Sequence, residues 1–384
     1  MPIAGATLFI ETLTGYGQSF KAVRINASRR GKGLAARLSS NLLSGEVVWQ
    51  PKTASTNLAS GYDRNGKVTV NLRNLKWQKN DLQNDQPKPP QNSPPNPTPK
   101  LPALKSAKSL SPSNLPALEI AIDNLQIQDR QIGRFELVGH PEAEDWRMRR
   151  LRITNPDGTL TGDGVWQGSG QSQVNLMLDI SNAGKMLERF SYPNTVKAGS
   201  GRLEANLSWT GTPDTFNYAT LNGTLKLDAG KGQFLKMEPG IGKLLGILSL
   251  QSLPKRIKLD FNDVFSDGFQ FDRIKGSAAL KNGLLDTQDF HMDGLSAKVT
   301  LKGSVNLNDE TQNLRVRVLP AIGDGVSLGV AFAAGPAVGV GALILNRVFG
   351  DPLDKLVSFE YNVTGTWADP SVAKVERGSA RSRK

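Results

Sequence analysis

The chain has 384 residues, a formal net charge of +12 and no cysteine, which excludes a disulfide framework and thiolate chemistry. With 38% hydrophobic residues and a mean hydropathy of −0.34, most of it is not embedded in a bilayer. The length suits two or three ordinary domains or one long repetitive one, and the excess of Lys and Arg favours an anionic partner, either nucleic acid or acidic lipid.

The first residues, MPIAGATLFIETLTG, lack a basic region followed by a long apolar core. No signal peptide is predicted there, and the stretch reads as a strand and turn entered mid-domain, as in a piece of something longer. A β module is expected over 1–80. Within it "KVTVNL" sets Val68, Val70 and Leu72 against Lys67, Thr69 and Asn71, the period of two that marks a strand with one apolar face. The stretch 81–116 is dense in Pro, Ser, Asn and Lys. Proline has no amide proton to give a ladder, so this is expected to be a disordered or polyproline-like excursion, a solvated linker or a docking motif.

From 117 to 370 the alternation resumes. "QVNLMLDI" aligns Leu176 and Leu178, "RLEANLSW" aligns Leu203, Leu207 and Trp209, and "TLKLDAG" aligns Leu225 and Leu227. "KVTLKGSVNLN" gives Val299, Leu301 and Val305, "LRVRVL" gives Val316 and Val318 opposite Arg315 and Arg317, and "SFEYNV" gives Phe359 and Tyr361. Strand after strand turns one greasy face and one wet face, which describes an antiparallel sheet whose apolar side is covered or encloses something. "LSGEVVWQP", "LTGDGVWQG", "LEANLSWTGTP" and "YNVTGTWADP" each combine a short strand with a Trp and a nearby Gly or Pro, a loose repeat of hairpins along one axis.

Two segments have helical spacing. Between Pro239 and Pro254, about 240–253, Leu244, Leu245 and Leu248 share one face; the prolines suit the start and stop of a helix, and the span is shorter than the roughly 20 residues a bilayer requires. At 325–349 an uncharged run from Gly325 to Asn346 contains ten Gly or Ala among 22 residues, with Pro336 in the middle. Small residues contribute little transfer energy, and the proline kinks or splits a helix. A kinked, membrane-touching cap is expected, presenting Phe332, Val340, Leu343, Ile344 and Phe349; a buried element or a true span are the alternatives. The residues 371–384 form a basic, flexible tail.

Catalytic constellations are missing from the sequence. His140 and His291 stand far apart without partner motifs, "GDGVWQGSG" reads as a turn, and "DFNDVFSDGFQFD" lacks the spacing and terminal Glu of a calcium loop. No nucleophile, base and orienter set emerges, so no enzyme, no cofactor and no metal are expected. Basic clusters at Arg29–Lys32, Arg147–Arg152 and the tail come without a nucleic-acid motif, so nucleic acid is not expected as a partner.

The run from Gly199 to Pro370, from "GRLEANLSWTGTPDTFNYATLNGTLKLDAG" through "GDGVSLGVAFAAGPAVGVGALILNRVFGDPLDKLVSFEYNVTGTWADP", resembles the C-terminal region of the YhdP family, in the AsmA-like superfamily of Gram-negative bacteria. A looser similarity extends over 8–77 and 115–167. The resemblance implies an elongated, twisted antiparallel sheet curled into an apolar groove, with short helices near its C-terminal end. It implies periplasmic placement in the cell envelope, an N-terminal remainder anchored in the inner membrane, and phospholipid as partner, carried between inner and outer membranes. The alternating residues named above would line the groove, and the two helical segments would touch a membrane surface, the inner leaflet of the outer membrane. A non-catalytic structural or assembly factor for the outer membrane, with a dry β core, is the alternative.

Overall fold

The structure, a computed structural model, describes residues 5–15, 18–52, 65–78, 111–235, 268–320 and 358–375. Both helical expectations, 240–253 and 325–349, fall outside the described residues, as do most of 81–116 and the end of the basic tail. The strands form one mixed sheet of 20 strands that is not closed into a barrel. Among the described residues α-helix is confined to α1 (Ala183–Arg189). The chain divides into two compact units, Met1–Asn155 with Gly162–Gln171, and Pro156–Thr161 with Ser172–Lys384.

The first unit holds β1 (Gly5–Gly15), β2 (Gln18–Arg30), β3 (Gly33–Ser39), β4 (Leu43–Gln50), β5 (Lys67–Trp77), β6 (Ala117–Ile127), β7 (Arg130–Glu142) and β8 (Asp145–Asn155). Neighbours in this series pair antiparallel with one exception: β5 and β6 run parallel, in register from Lys67↔Ala117 to Trp77↔Ile127. Parallel neighbours need a connection of a dozen or more residues, and the Pro-rich stretch supplies it. The antiparallel expectation therefore becomes a mixed sheet, and the strands flanking that stretch lie side by side in one unit. Trp146 closes the start of β6: it is buried and its Nε1 donates to the Pro116 carbonyl at 3.1 Å.

β9 (Gly158–Trp166) is divided between the units. The second unit continues with β10 (Gln171–Ile180), β11 (Val196–Ala198), β12 (Gly201–Thr210), β13 (Asn222–Ala229), β14 (Gly232–Phe234), β15 (Phe269–Lys281), β16 (Leu284–Gly294), β17 (Ala297–Asn306), β18 (Thr311–Pro320), β19 (Phe359–Thr366) and β20 (Pro370–Lys374). The main ladder runs β12, β13, β15, β16, β17, β18, β19, β20, antiparallel throughout. A seven-residue helix is marginal by itself, and α1 is held by its ends. Asn182 accepts from the Lys185 amide at 3.0 Å as N-cap, and Arg189 in the last turn donates to the buried Asp157 at 2.6 Å.

The largest core cluster belongs to β15–β19. Phe269, Phe271, Ile274, Met292, Ala297, Val299, Leu301, Val305, Leu314, Val316 and Val318 are all at most 6% exposed and pack together. A smaller cluster joins Trp209, Leu221 and Leu280.

Candidate functional site

Register decides which side chains share a face, because directly opposed residues on neighbouring strands place their Cβ atoms about 4.5–5.5 Å apart. In the first unit one row crosses the strands as Leu8, Ile25, Leu38, Gly45, Leu72, Ile122, Phe135 and Ile153. The next row on the same face reads Val47, Val70, Ile120, Leu137, Leu151, and a third brings Trp49 beside Val68 and Leu118. The row between belongs to the other face: Arg37, Glu46, Asn71, Ala121, Glu136, Arg152. Val68 and Val70 are half-buried, and Leu72 is buried.

The second unit repeats the arrangement. Leu203 faces Leu227, and Ala205 faces Leu225, which faces Ala278. Further along, Met292, Val299, Val318 and Phe359 form one row, and Phe290, Leu301, Val316 and Tyr361 the next. Leu176, Leu178, Leu203, Leu207, Leu225, Leu227 and Phe359 are half-buried. Val299, Leu301, Val305, Val316, Val318 and Tyr361 are 1–6% exposed. The predicted lining residues differ in access: those on β10, β12 and β13 other than Trp209 are half-buried, and those on β17 and β18 are packed. Burial pushes the Tyr361 phenol up to about 12. Trp209 is buried and tied down by its Nε1 donating to the Thr212 carbonyl at 3.1 Å, with Phe216 tilted against it at 4.9 Å between ring centroids.

The wet face of the second unit is laced by ion pairs. Arg202 reaches Asp179 at 2.6 Å, and Arg273 grips Asp228 with two hydrogen bonds of 3.0 and 2.6 Å. The hydrogen bond from Arg273 holds the Asp228 carboxyl below its ordinary value. Exposed pairs of this kind contribute little stability; they keep that face hydrated.

Bulges interrupt the strict alternation, and three of them share a sequence pattern whose reason the structure gives. β5 reads Leu72-Arg-Asn-Leu75, β6 reads Ile122-Asp-Asn-Leu125 and β16 reads Thr287-Gln-Asp-Phe290. Each is a β-bulge: the register jumps between Ser44 and Gly45 opposite β5, between Ile122 and Leu125, and between Thr287 and Phe290. An extra residue shifts the phase by one, so Leu75, Trp77, Leu125, Ile127, Phe290 and Met292 return to the apolar side. The Asn or Asp at each bulge bonds the disturbed backbone or a neighbour. Asn124 Nδ2 donates to the Arg73 carbonyl at 3.2 Å, Asn74 Nδ2 to Ser44 Oγ at 3.3 Å, and Asp289 accepts the Ser277 amide at 2.7 Å. Sequence reasoning missed these apolar residues; two polar residues between apolar ones, the second Asn or Asp, is the signal that finds them.

Among the described residues the faces offer apolar area on one side and hydrated ion pairs on the other. Among the described residues no group of three or more His, Cys, Asp or Glu could hold a metal ion, and no helix is long and apolar enough to cross a membrane. The membrane-contacting residues expected at 240–253 and 325–349 lie outside the described residues.

A profile described as YhdP protein matches residues 1–372. The intermembrane phospholipid transporter YhdP of Escherichia coli (strain K12) is 32% identical over 222 residues, which is 57% of this chain and 18% of that relative. The chain therefore spans less than a fifth of the length of the curated relative it matches. No solved structure matches.

Proposed function

The chain belongs to the YhdP family, and from that premise we propose that it is a segment of a non-enzymatic phospholipid-transfer protein of the cell envelope, whose apolar sheet face shelters acyl chains from water. The observation that carries the reading is the same-face register of apolar residues on neighbouring strands within each unit, with half-buried side chains on β4–β7, β12 and β13. The printed name of the Escherichia coli relative supports phospholipid as the cargo.

The mechanism needs no bond to be made. An acyl chain leaving a bilayer must keep its methylenes out of water, at about 0.8 kcal/mol each. A row of Val, Leu and Ile replaces the lost lipid contacts with similar dispersion and no hydrogen-bond demand, so binding is loose and a chain can slide from strand to strand. The zwitterionic or anionic head stays at the open side in water, where the basic surplus of the chain attracts it. In this reading Leu244, Leu245 and Leu248, together with Phe332, Val340, Leu343, Ile344 and Phe349, meet the receiving membrane in the periplasm, and the anchored remainder of the longer protein lies at the other end.

Photo-crosslinking side chains at Val70, Leu203 and Leu225, compared with Thr69, Arg202 and Lys226 on the opposite face, test the proposal. Phospholipid adducts confined to the first set are expected; adducts absent from both sets, or equal in both, overturn it. A second reading, a structural factor with a dry core, is favoured by the packing of Val299, Leu314, Val316 and Val318, and it predicts no adduct at Leu203 or Leu225.

A further inference from the structure

The chain leaves β5 at Gln78 and returns to β6 through Ser113–Leu115, and both points are pinned. The buried Gln18 side chain accepts the Gln78 amide at 2.9 Å and donates to the Gln78 carbonyl. Asn65 Nδ2 donates to the carbonyls of Ser113 and Leu115 at 2.5 and 3.1 Å. The connection between them, 79–110, lies outside the described residues, yet the described strands say which face of the sheet it crosses.

In a strand the N–H and C=O of one residue point the same way. For L residues, seen with the side chain toward the viewer and the chain running upward, that way is to the right. On β5 the apolar-side residues are the ones that turn to β6. Gly66, in phase with Val68, Val70 and Leu72, accepts the Ala117 amide at 3.0 Å, and Trp77 accepts the Gln128 amide at 2.6 Å. Lys76, on the other side, donates instead to Leu42, toward β4. Viewed from the apolar face, β6 therefore stands to the right of β5. Crossovers between parallel strands of one sheet are right-handed almost without exception, and a right-handed path to the right runs on the viewer's side, which is the apolar side.

That face carries exposed apolar side chains at both ends of the path. Trp77 and Ile127, 40% and 39% exposed, stand opposite each other where the chain leaves; Trp49, 42% exposed, lies in the row of Val68 and Leu118 where it returns. The composition of the connection suits such a surface. Eight of the 16 residues from Pro87 to Pro102 are proline, and each lacks the amide proton that an apolar surface would strand without a partner. Proline rings also pack on exposed aromatic side chains, as in the grooves that read Pro-rich peptides. At a polyproline rise this stretch reaches about 50 Å, more than the roughly 33 Å from Trp77 back to Lys67.

We infer that the apolar face of β5 and β6 is the docking surface of this chain's own Pro-rich segment, 79–110. The inference rests on the reading of that face as an acyl-chain floor and adds a competitor for it: an acyl chain on the first unit must displace the segment. Little affinity is needed, because the covalent tether supplies an effective concentration in the millimolar range.

The test uses the full chain with photo-crosslinking side chains at Val70 and Ile120 on the apolar face, or at Asn71 and Ala121 on the other, and peptide mapping by mass spectrometry. Adducts to 79–110 within one chain, from Val70 and Ile120 alone, are expected. Adducts from Asn71 and Ala121, from both pairs equally or from neither overturn the inference; adducts joining two chains assign the face to a second copy and overturn it as well. Replacing 81–110 by a Gly-Ser linker of equal length should raise phospholipid adducts at Val70 about two- to threefold, the effect of removing an occupant present for roughly half to two-thirds of the time. An unchanged yield at Val70, with adducts at Leu203 retained, refutes the competition. Intramolecular adducts without phospholipid adducts anywhere would sink the acyl-chain reading and leave the docking standing.

Discussion

Leu314 and Leu225 are the same residue on the same kind of strand, and the structure predicts very different consequences of truncating them to Ala. Leu314 is 1% exposed in the β15–β19 core, and its partners across the strands are Val363 and Gly303. Gly303 has no side chain to move in, so most of the vacated volume stays empty. Burial of this kind places Leu314→Ala at about 3–4 kcal/mol, within the range for large-to-small core substitutions. Leu225 is half-buried between Ala205 and Ala278. Its loss gives up only part of a transfer energy and leaves a space open to water or lipid, about 1 kcal/mol. The difference, about 2–3 kcal/mol, is a factor of roughly 30–150 in the unfolding equilibrium. Equilibrium urea unfolding by circular dichroism reads it as a shift in midpoint at constant slope. If the two variants fall within about 0.5 kcal/mol of each other, against additive error, the division into packed block and accessible floor is wrong.

Further outcomes are expected elsewhere. Because burial raises the Tyr361 phenol to about 12, the unfolded chain ionises it first, near 10; stability should fall as pH rises between these values, and Tyr361→Phe should flatten that loss in alkaline unfolding curves. Asp289 is held below its ordinary value, first by the Ser277 backbone hydrogen bond and then by the Ser277 hydroxyl. Its contribution is present above about pH 4 and is lost as pH falls through the depressed folded value, so Asp289→Asn should lessen the acid-side decline measured by the same method. At Gly139 a Cβ would meet the Trp146 ring at 2.2 Å. Gly139→Ala should therefore lower stability by about 1–3 kcal/mol through overpacking, with a change in the fluorescence of the buried tryptophan; an unchanged midpoint would contradict that packing.

Much of the sheet was legible beforehand because alternation is a local signal. Val299, Leu301, Val316 and Val318 stand at period two in the chain, and backbone geometry forces such residues onto one face whatever their partners. The Pro-rich composition of 81–116 was legible as a break in the alternating pattern. Its topological role was not. That β5 and β6 meet in parallel depends on 117–127 returning to lie along 67–77, a long-range choice that no local pattern encodes. Phe290 and Met292 were hidden for a related reason: a bulge resets the phase, and an extra residue is recognisable only against the partner strand.

The order of residues alone determined that this chain makes many two-faced strands and that one face is oily, because side-chain direction in a strand follows from position parity. The tertiary structure decided which of those oily side chains are closed off. Val318 and Leu227 look alike in sequence, yet one is 1% exposed and the other half-buried. Access depends on what lies over a residue, and that is set by distant segments brought together in folding. It likewise brought the bulges of β5 and β6 side by side, so that Arg73, Asp123 and Arg134, scattered along the chain, gather in one place.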